Sequence, residues 1–241
     1  MIVSVHALSQ GWACGGRPAR LIVSLVTLPL LIGSALICSV LVAQSADGSE
    51  SIAPQGVLVV GDSITASYDA LPGSPTEGWW SIVGRHYGVD VHPAAEAGSG
   101  YQRPGARCTG TTFEDRPGLW ELPPPSLVIV EGGRNDWARC VDGELVPTSA
   151  VRLADAVDAF LTRLAATWPD ATVVVLAPPW GPLQAELTDR VARTIGAVAG
   201  RRGLTYVSMD GVLPAAHVVD GVHPNRTGST AIAERVIAAL G

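Results

Sequence analysis

Short apolar runs alternate with longer stretches of helical periodicity along most of the chain. Val57 to Val60, Ser126 to Val130, Thr172 to Leu176 and Leu204 to Val207 are four or five residues long and rich in valine. Short runs this rich in valine suit strands covered on both faces. A weaker candidate covers Val89 to His92. Between the runs, Leu153, Val157, Phe160, Leu161, Leu164 and Trp168 recur at helical spacing, as do Leu187, Val191, Ile195 and Val198, then Ile232, Val236 and Leu240. Strand and helix repeated in this way predict an α/β protein, a three-layer sandwich with a parallel sheet between helices. In such sheets ligands collect beyond the carboxyl ends of the strands.

The N-terminal part breaks this pattern. Arg17 and Arg20 precede an uncharged apolar run from Leu21 to Ala43, long enough to cross a bilayer. The positive flank predicts a cytoplasmic segment over 1–20. Residues 21–43 read either as an uncleaved transmembrane signal anchor or as a signal peptide cut near the small residues Ala43, Ser45 and Ala46. From Ala46 to Gln55 the composition is small and polar, so 44–55 is read as a linker and 56–241 as one domain. The first reading tethers that domain to the outer face of a cell membrane, and the second secretes it.

Composition narrows the chemistry. At 47% hydrophobic and 16% charged, the chain holds enough apolar material for one substantial core. It contains no lysine, which removes Schiff-base and Ser/Lys mechanisms and leaves histidine as the base for any activated serine. With Arg17 and Arg20 set aside, 14 arginines face 22 acidic residues, a net charge of −8. A nucleic-acid partner, which calls for a basic footprint, is not expected.

Four stretches carry candidate chemistry. GDSIT follows the first apolar run, so Ser63 stands between a buried strand and a helix start, as a nucleophile or as a plain N-cap. DGVHP puts Asp220 three residues before His223, where the carboxylate can orient the imidazole to accept a serine proton; the bland reading is an Asp-Gly turn beside an incidental histidine. EGGRND follows the third-strand candidate and offers the Asn135 amide to a developing oxyanion, or a turn asparagine. AGSGY, from Ala97 to Tyr101, can present a backbone N–H. His217, Asp220 and His223 lack the dense company of ligands that a metal requires, so neither metal nor cofactor is expected.

In order, these pieces resemble the blocks of the SGNH hydrolase family, also called GDSL esterases/lipases, over roughly Pro54 to the C-terminus. The resemblance implies a flavodoxin-like parallel sheet and a serine esterase. It implies Ser63 as nucleophile, Asp220 and His223 as its partners, and Asn135 with a glycine as oxyanion donors. Gly100 is favoured for that glycine because Ser99 precedes it, with Gly98 as the alternative. Two departures stand out: Ile64 replaces the family's usual leucine, and no asparagine opens the second block, where Ala95 and Glu96 stand. The implied activity is exported ester hydrolysis through an acyl-enzyme on Ser63, the substrate being a small-molecule, lipid or O-acyl glycan ester. Alternatives are acyl transfer by the same triad or a non-catalytic envelope-binding module on the same fold.

Cys108 and Cys140 lie in the exported part and are expected to pair, two buried thiols being the alternative. Trp180, in APPWGP, is a candidate stacking surface for substrate or simple core filler, and Arg134 a candidate polar contact or a solvated charge.

Overall fold

The computed structural model describes residues 56–66, 78–181 and 185–241, and the side chains of 185–188 are left out. The signal anchor or signal peptide and the linker lie outside the described residues, and within them no helix is long and apolar enough to cross a membrane.

Chain order runs β1 (Val57–Gly61), α1 (Ser63–Ala66), α2 (Trp79–Tyr87), β2 (Val91–Ala95), β3 (Leu127–Val130), β4 (Ala138–Val141), β5 (Glu144–Pro147), α3 (Ala150–Thr167), β6 (Thr172–Leu176), α4 (Ala185–Arg201), β7 (Thr205–Val207) and α5 (Arg226–Leu240). Five strands form one parallel sheet in the order β2-β1-β3-β6-β7, and β4 with β5 makes a separate antiparallel hairpin. This is the expected flavodoxin-like arrangement. The weak second strand begins two residues later and ends three residues later than the sequence suggested. Neither α2 nor the β4–β5 hairpin was anticipated.

Period-two alternation divides the core between the two sheet faces. Val57, Val59, Leu127, Ile129, Val174 and Leu176 point to one side, where Trp79, Trp80 and Val83 of α2 meet Ile232 and Val236 of α5. Leu58, Val60, Val128, Val130 and Val175 point to the other, against Leu153, Val157 and Phe160 of α3 and Val191, Ile195 and Val198 of α4. Covering both faces explains why these strands carry apolar residues on both alternating sets of positions. Side chains cap two of the helices: Ser149 Oγ accepts from the Arg152 N–H of α3 at 3.3 Å, and Asn225 Oδ1 from the Gly228 N–H of α5 at 3.0 Å.

Because the sheet is parallel, its carboxyl ends lie along one edge. Order 2-1-3 makes the chain leave β1 and β3 toward opposite faces, which opens a crevice between their ends. Ser63 follows β1 and Asn135 follows β3.

Candidate active site

Every candidate catalytic, oxyanion and substrate residue follows the carboxyl end of a strand of the parallel sheet. Ser63 comes after β1, Gly98 and Gly100 after β2, Arg134 and Asn135 after β3, Trp180 after β6, and Asp220 and His223 after β7. Asn135 spans the crevice. Its Nδ2 donates to the Ser99 carbonyl at 2.9 Å and to Asp62 Oδ2 at 3.2 Å, linking the segments after β1, β2 and β3. An amide nitrogen carries two hydrogens. Donation to a third oxygen therefore requires release of one bond, the longer being that to Asp62.

The turn before α5 holds the imidazole. Asp220 Oδ1 accepts the backbone N–H groups of Val222 and His223 at 3.0 and 2.7 Å, while Oδ2 meets His223 Nδ1 at 2.7 Å. Gly221 at φ 81° provides the left-handed step this bend needs. A side chain at Gly181 would press on the Gly221 carbonyl, so the segment after β6 lies directly against this turn. Burial works to raise the Asp220 pKa. Hydrogen bonds from the His223 N–H, its imidazole and the Val222 N–H outweigh that effect and hold the carboxyl at about 2. With the carboxylate on Nδ1, the imidazole keeps Nε2 for a second partner.

Ser63 opens α1 and is half-buried, and its hydroxyl makes no hydrogen bond among the described residues. The His223 imidazole lies close enough to Asp62, the residue before Ser63, to lower its pKa electrostatically. Asp62 is itself fully buried, accepts the Ile64 N–H at 2.9 Å, and is raised to about 6 chiefly by desolvation.

Gly100 does not present a free donor. Its N–H, expected to serve the oxyanion, is given to the Arg103 carbonyl at 3.0 Å. Gly98, the alternative, makes no hydrogen bond through its N–H among the described residues. What position 100 supplies is space. A Cβ there would lie 2.6 Å from Cγ and Oδ1 of Asp136 and closer still to Oδ2. The Asp136 carboxylate fills that space, accepting the N–H groups of Tyr101 and Gln102, each at 3.0 Å. Desolvation raises Asp136 to about 7 against the pull of those two donors.

Three supporting groups were not singled out in the sequence. Buried Arg116 donates to the Gly61 carbonyl at 3.0 Å, to the Ala94 carbonyl and to Ser99 Oγ at 2.7 Å, tying the ends of β1 and β2 to the glycine-rich turn. Arg103 donates to the Asn135 carbonyl at 3.3 Å and to the Ala106 carbonyl at 3.0 Å. Glu131 is fully buried and accepts from the Thr65 hydroxyl at 2.7 Å, and that hydroxyl in turn accepts from Trp79 Nε1 at 3.2 Å. Burial pushes the Glu131 carboxyl well up. Hydrogen bonds between residues far apart in the chain bring these groups together, so a linear pattern carries no trace of them.

Cys108 and Cys140 form a disulfide with Cα atoms 5.7 Å apart, fastening the loop after β2 to the β4–β5 hairpin. Arg134 stacks over the Trp180 ring, its Cζ 4.8 Å from the centroid. Among the described residues, no three His, Cys, Asp or Glu side chains group in a way that could hold a metal ion.

The GDSL-like lipase/acylhydrolase family matches the chain over residues 59–231. The chain belongs to that family. It is an ester-hydrolysing enzyme. Among solved structures, a family two carbohydrate esterase from Clostridium thermocellum in complex with cellohexaose superposes with a TM-score of 0.63 at 17% identity, over 76% of this chain and 62% of that one. This chain thus spans less than two thirds of that esterase. A putative GDSL-like lipase from Bacteroides ovatus gives a TM-score of 0.56 at 15% identity, covering 76% of this chain and 96% of the other. A lipase/acylhydrolase from Enterococcus faecalis gives 0.55 at 16%, covering 76% and 94%. At these identities the likeness speaks for the α/β fold. No curated protein matches the sequence.

Proposed function

We propose that this family member is an exported serine esterase that cleaves O-acyl esters of glycans or lipids through an acyl-enzyme on Ser63. The observation that carries the reading is the 2.7 Å contact between Asp220 Oδ2 and His223 Nδ1, made at the same strand edge as an unbonded Ser63 hydroxyl. His223 Nε2 takes the serine proton as Oγ attacks the ester carbonyl, then returns it to the departing alcohol. Water repeats the cycle on the acyl-enzyme. The N–H groups of Ser63 and Gly98 and the Asn135 amide receive the oxyanion, Asn135 by releasing Asp62.

A glycan ester is favoured by the likeness to a carbohydrate esterase whose structure was solved in complex with cellohexaose. Export is favoured by the apolar run at 21–43 and by the Cys108–Cys140 disulfide, a bond that persists in oxidising compartments. The catalytic domain is then 56–241, joined through 44–55 to an anchor or a cleaved leader at 21–43 that follows the cytoplasmic segment 1–20.

The test is covalent capture. A fluorophosphonate probe labels the wild-type protein at Ser63 and leaves Ser63→Ala unlabelled, and p-nitrophenyl acetate turnover disappears with the label. Labelling that survives in Ser63→Ala, or turnover without it, refutes the assignment.

A further inference from the structure

Arg134 is placed where a cation is costly. The residue is 7% exposed, yet among the described residues its side chain makes no hydrogen bond and no ion pair, and Nη1 is sealed from solvent without an acceptor. The indole N–H of Trp180, the ring on which the guanidinium lies, is likewise buried with no acceptor. Two unsatisfied donors side by side in a native interior call for an explanation, since leaving either unmet carries the desolvation penalty of a polar group.

The neighbouring carboxylates do not meet that need. Asp62 and Asp220 are near enough to act on Arg134 through space, but Asp62 gives its oxygens to the Ile64 N–H and Asn135, and Asp220 gives its own to Val222 and His223. Glu131, the third acid within reach, accepts from Thr65 and is pushed toward its neutral form by burial. Desolvation also works against the charge on Arg134 itself. A planar guanidinium with free N–H groups, beside an indole N–H, is complementary to the paired oxygens of a carboxylate or phosphate.

We propose that Arg134 and Trp180 form an anion subsite, and that the substrate is an ester carrying a carboxylate or phosphate close to its scissile bond. The inference rests on Ser63 esterase chemistry and names the class of ester that chemistry acts on. Asp62, the residue before Ser63, and Asp220, which holds His223, both act on the Arg134 guanidinium through space, so an anion held there lies beside the proposed catalytic residues. The anionic group can belong to the acyl part or to the alcohol part, and matched substrates separate the two.

The experiment compares kcat/KM within two pairs. For the acyl side the pair is p-nitrophenyl butyrate and p-nitrophenyl hemisuccinate. For the alcohol side it is acetyl esters of glucose and of glucuronate, read as acetate release. The wild-type enzyme is expected to prefer the anionic member of one pair by at least about tenfold, because a buried polar site discriminates strongly against a ligand that leaves it unpaired. In Arg134→Met that ratio falls to about one, and Arg134→Lys keeps part of it. Succinate, and not succinamide, inhibits turnover of the neutral ester by wild type, which tests the subsite even if the variants fold poorly. Equal rates within both pairs together with no inhibition by succinate overturn the proposal, as does a preference that survives in Arg134→Met. Fluorophosphonate labelling of the wild-type protein, scored in parallel, reports on Ser63 alone, so loss of the esterase reading is distinguishable from loss of the subsite.

Discussion

Replacing Gly100 with alanine separates two roles for this position, a backbone donor to substrate or a space for Asp136. The added Cβ would stand 2.6 Å from Cγ and Oδ1 of Asp136, inside any allowed contact, and the opposing atoms belong to a fully buried carboxyl pinned by two backbone donors. Relief requires the carboxyl to withdraw from Tyr101 and Gln102. Each of those bonds involves an ionisable acceptor and contributes about 1.5 kcal/mol or more, so Gly100→Ala loses about 3 kcal/mol. Asp136→Ala removes the same two bonds and costs a similar amount. In the double variant the methyl group occupies vacated space and adds little, leaving a total again near 3 kcal/mol and a coupling of about 3 kcal/mol between the sites. The assay is urea denaturation of the four proteins followed by tryptophan fluorescence, with midpoints and slopes compared. Ester turnover should drop in both single variants, since Asn135 immediately precedes Asp136. Additive losses, with Gly100→Ala costing the same in both backgrounds, would refute the packing argument.

Asn135→Ala should fold and lose about 10² to 10³ in kcat, the usual effect of deleting one oxyanion donor; near-normal turnover of p-nitrophenyl acetate would exclude that role. Stability should decline as the pH rises from about 4 to about 7. Asp62 at about 6 and Asp136 at about 7 keep protons in the fold that the unfolded chain has already lost, so their contribution is fully present below about pH 4 and disappears as pH climbs through the folded values. Urea midpoints at pH 5 and pH 8 check this, and a higher midpoint at pH 8 would contradict it. Replacing both Cys108 and Cys140 with serine should cost about 3 to 4 kcal/mol in the chain-entropy treatment of a crosslink spanning 32 residues, read from the same denaturation curves.

The layered fold was legible in the linear pattern because burial on both faces demands apolar residues at every strand position, and helices packed on a sheet demand a stripe at 3.6-residue spacing. β1, β3 and the helices α3, α4 and α5 follow those two rules closely, while β6 and β7 do so only after an exposed first threonine, Thr172 or Thr205. α2 escaped notice because a nine-residue helix containing two tryptophans, a glycine and a histidine shows too few turns for its period to stand out. β2 is only partly buried along its length, with Pro93 at its centre, so its apolar signal is weak and its bounds shifted.

The site divides along the same line. GDS, the GRND segment and D-x-x-H were readable in sequence because each is held by local geometry: a strand end, a short turn, and a carboxylate bonding two and three residues ahead. What distance along the chain concealed was decided by the tertiary structure alone. Gly100 and Gly98 cannot be told apart in AGSGY, since the difference lies in which amide faces the Arg103 carbonyl and which side leaves room for Asp136. Arg116 meets Gly61 across 55 residues and Glu131 meets Thr65 across 66, contacts fixed by how parallel strands stack their ends at one edge. Sequence determines which chemical groups each strand delivers to that edge, and three-dimensional packing determines which of their hydrogen bonds are already spent and which remain for a substrate.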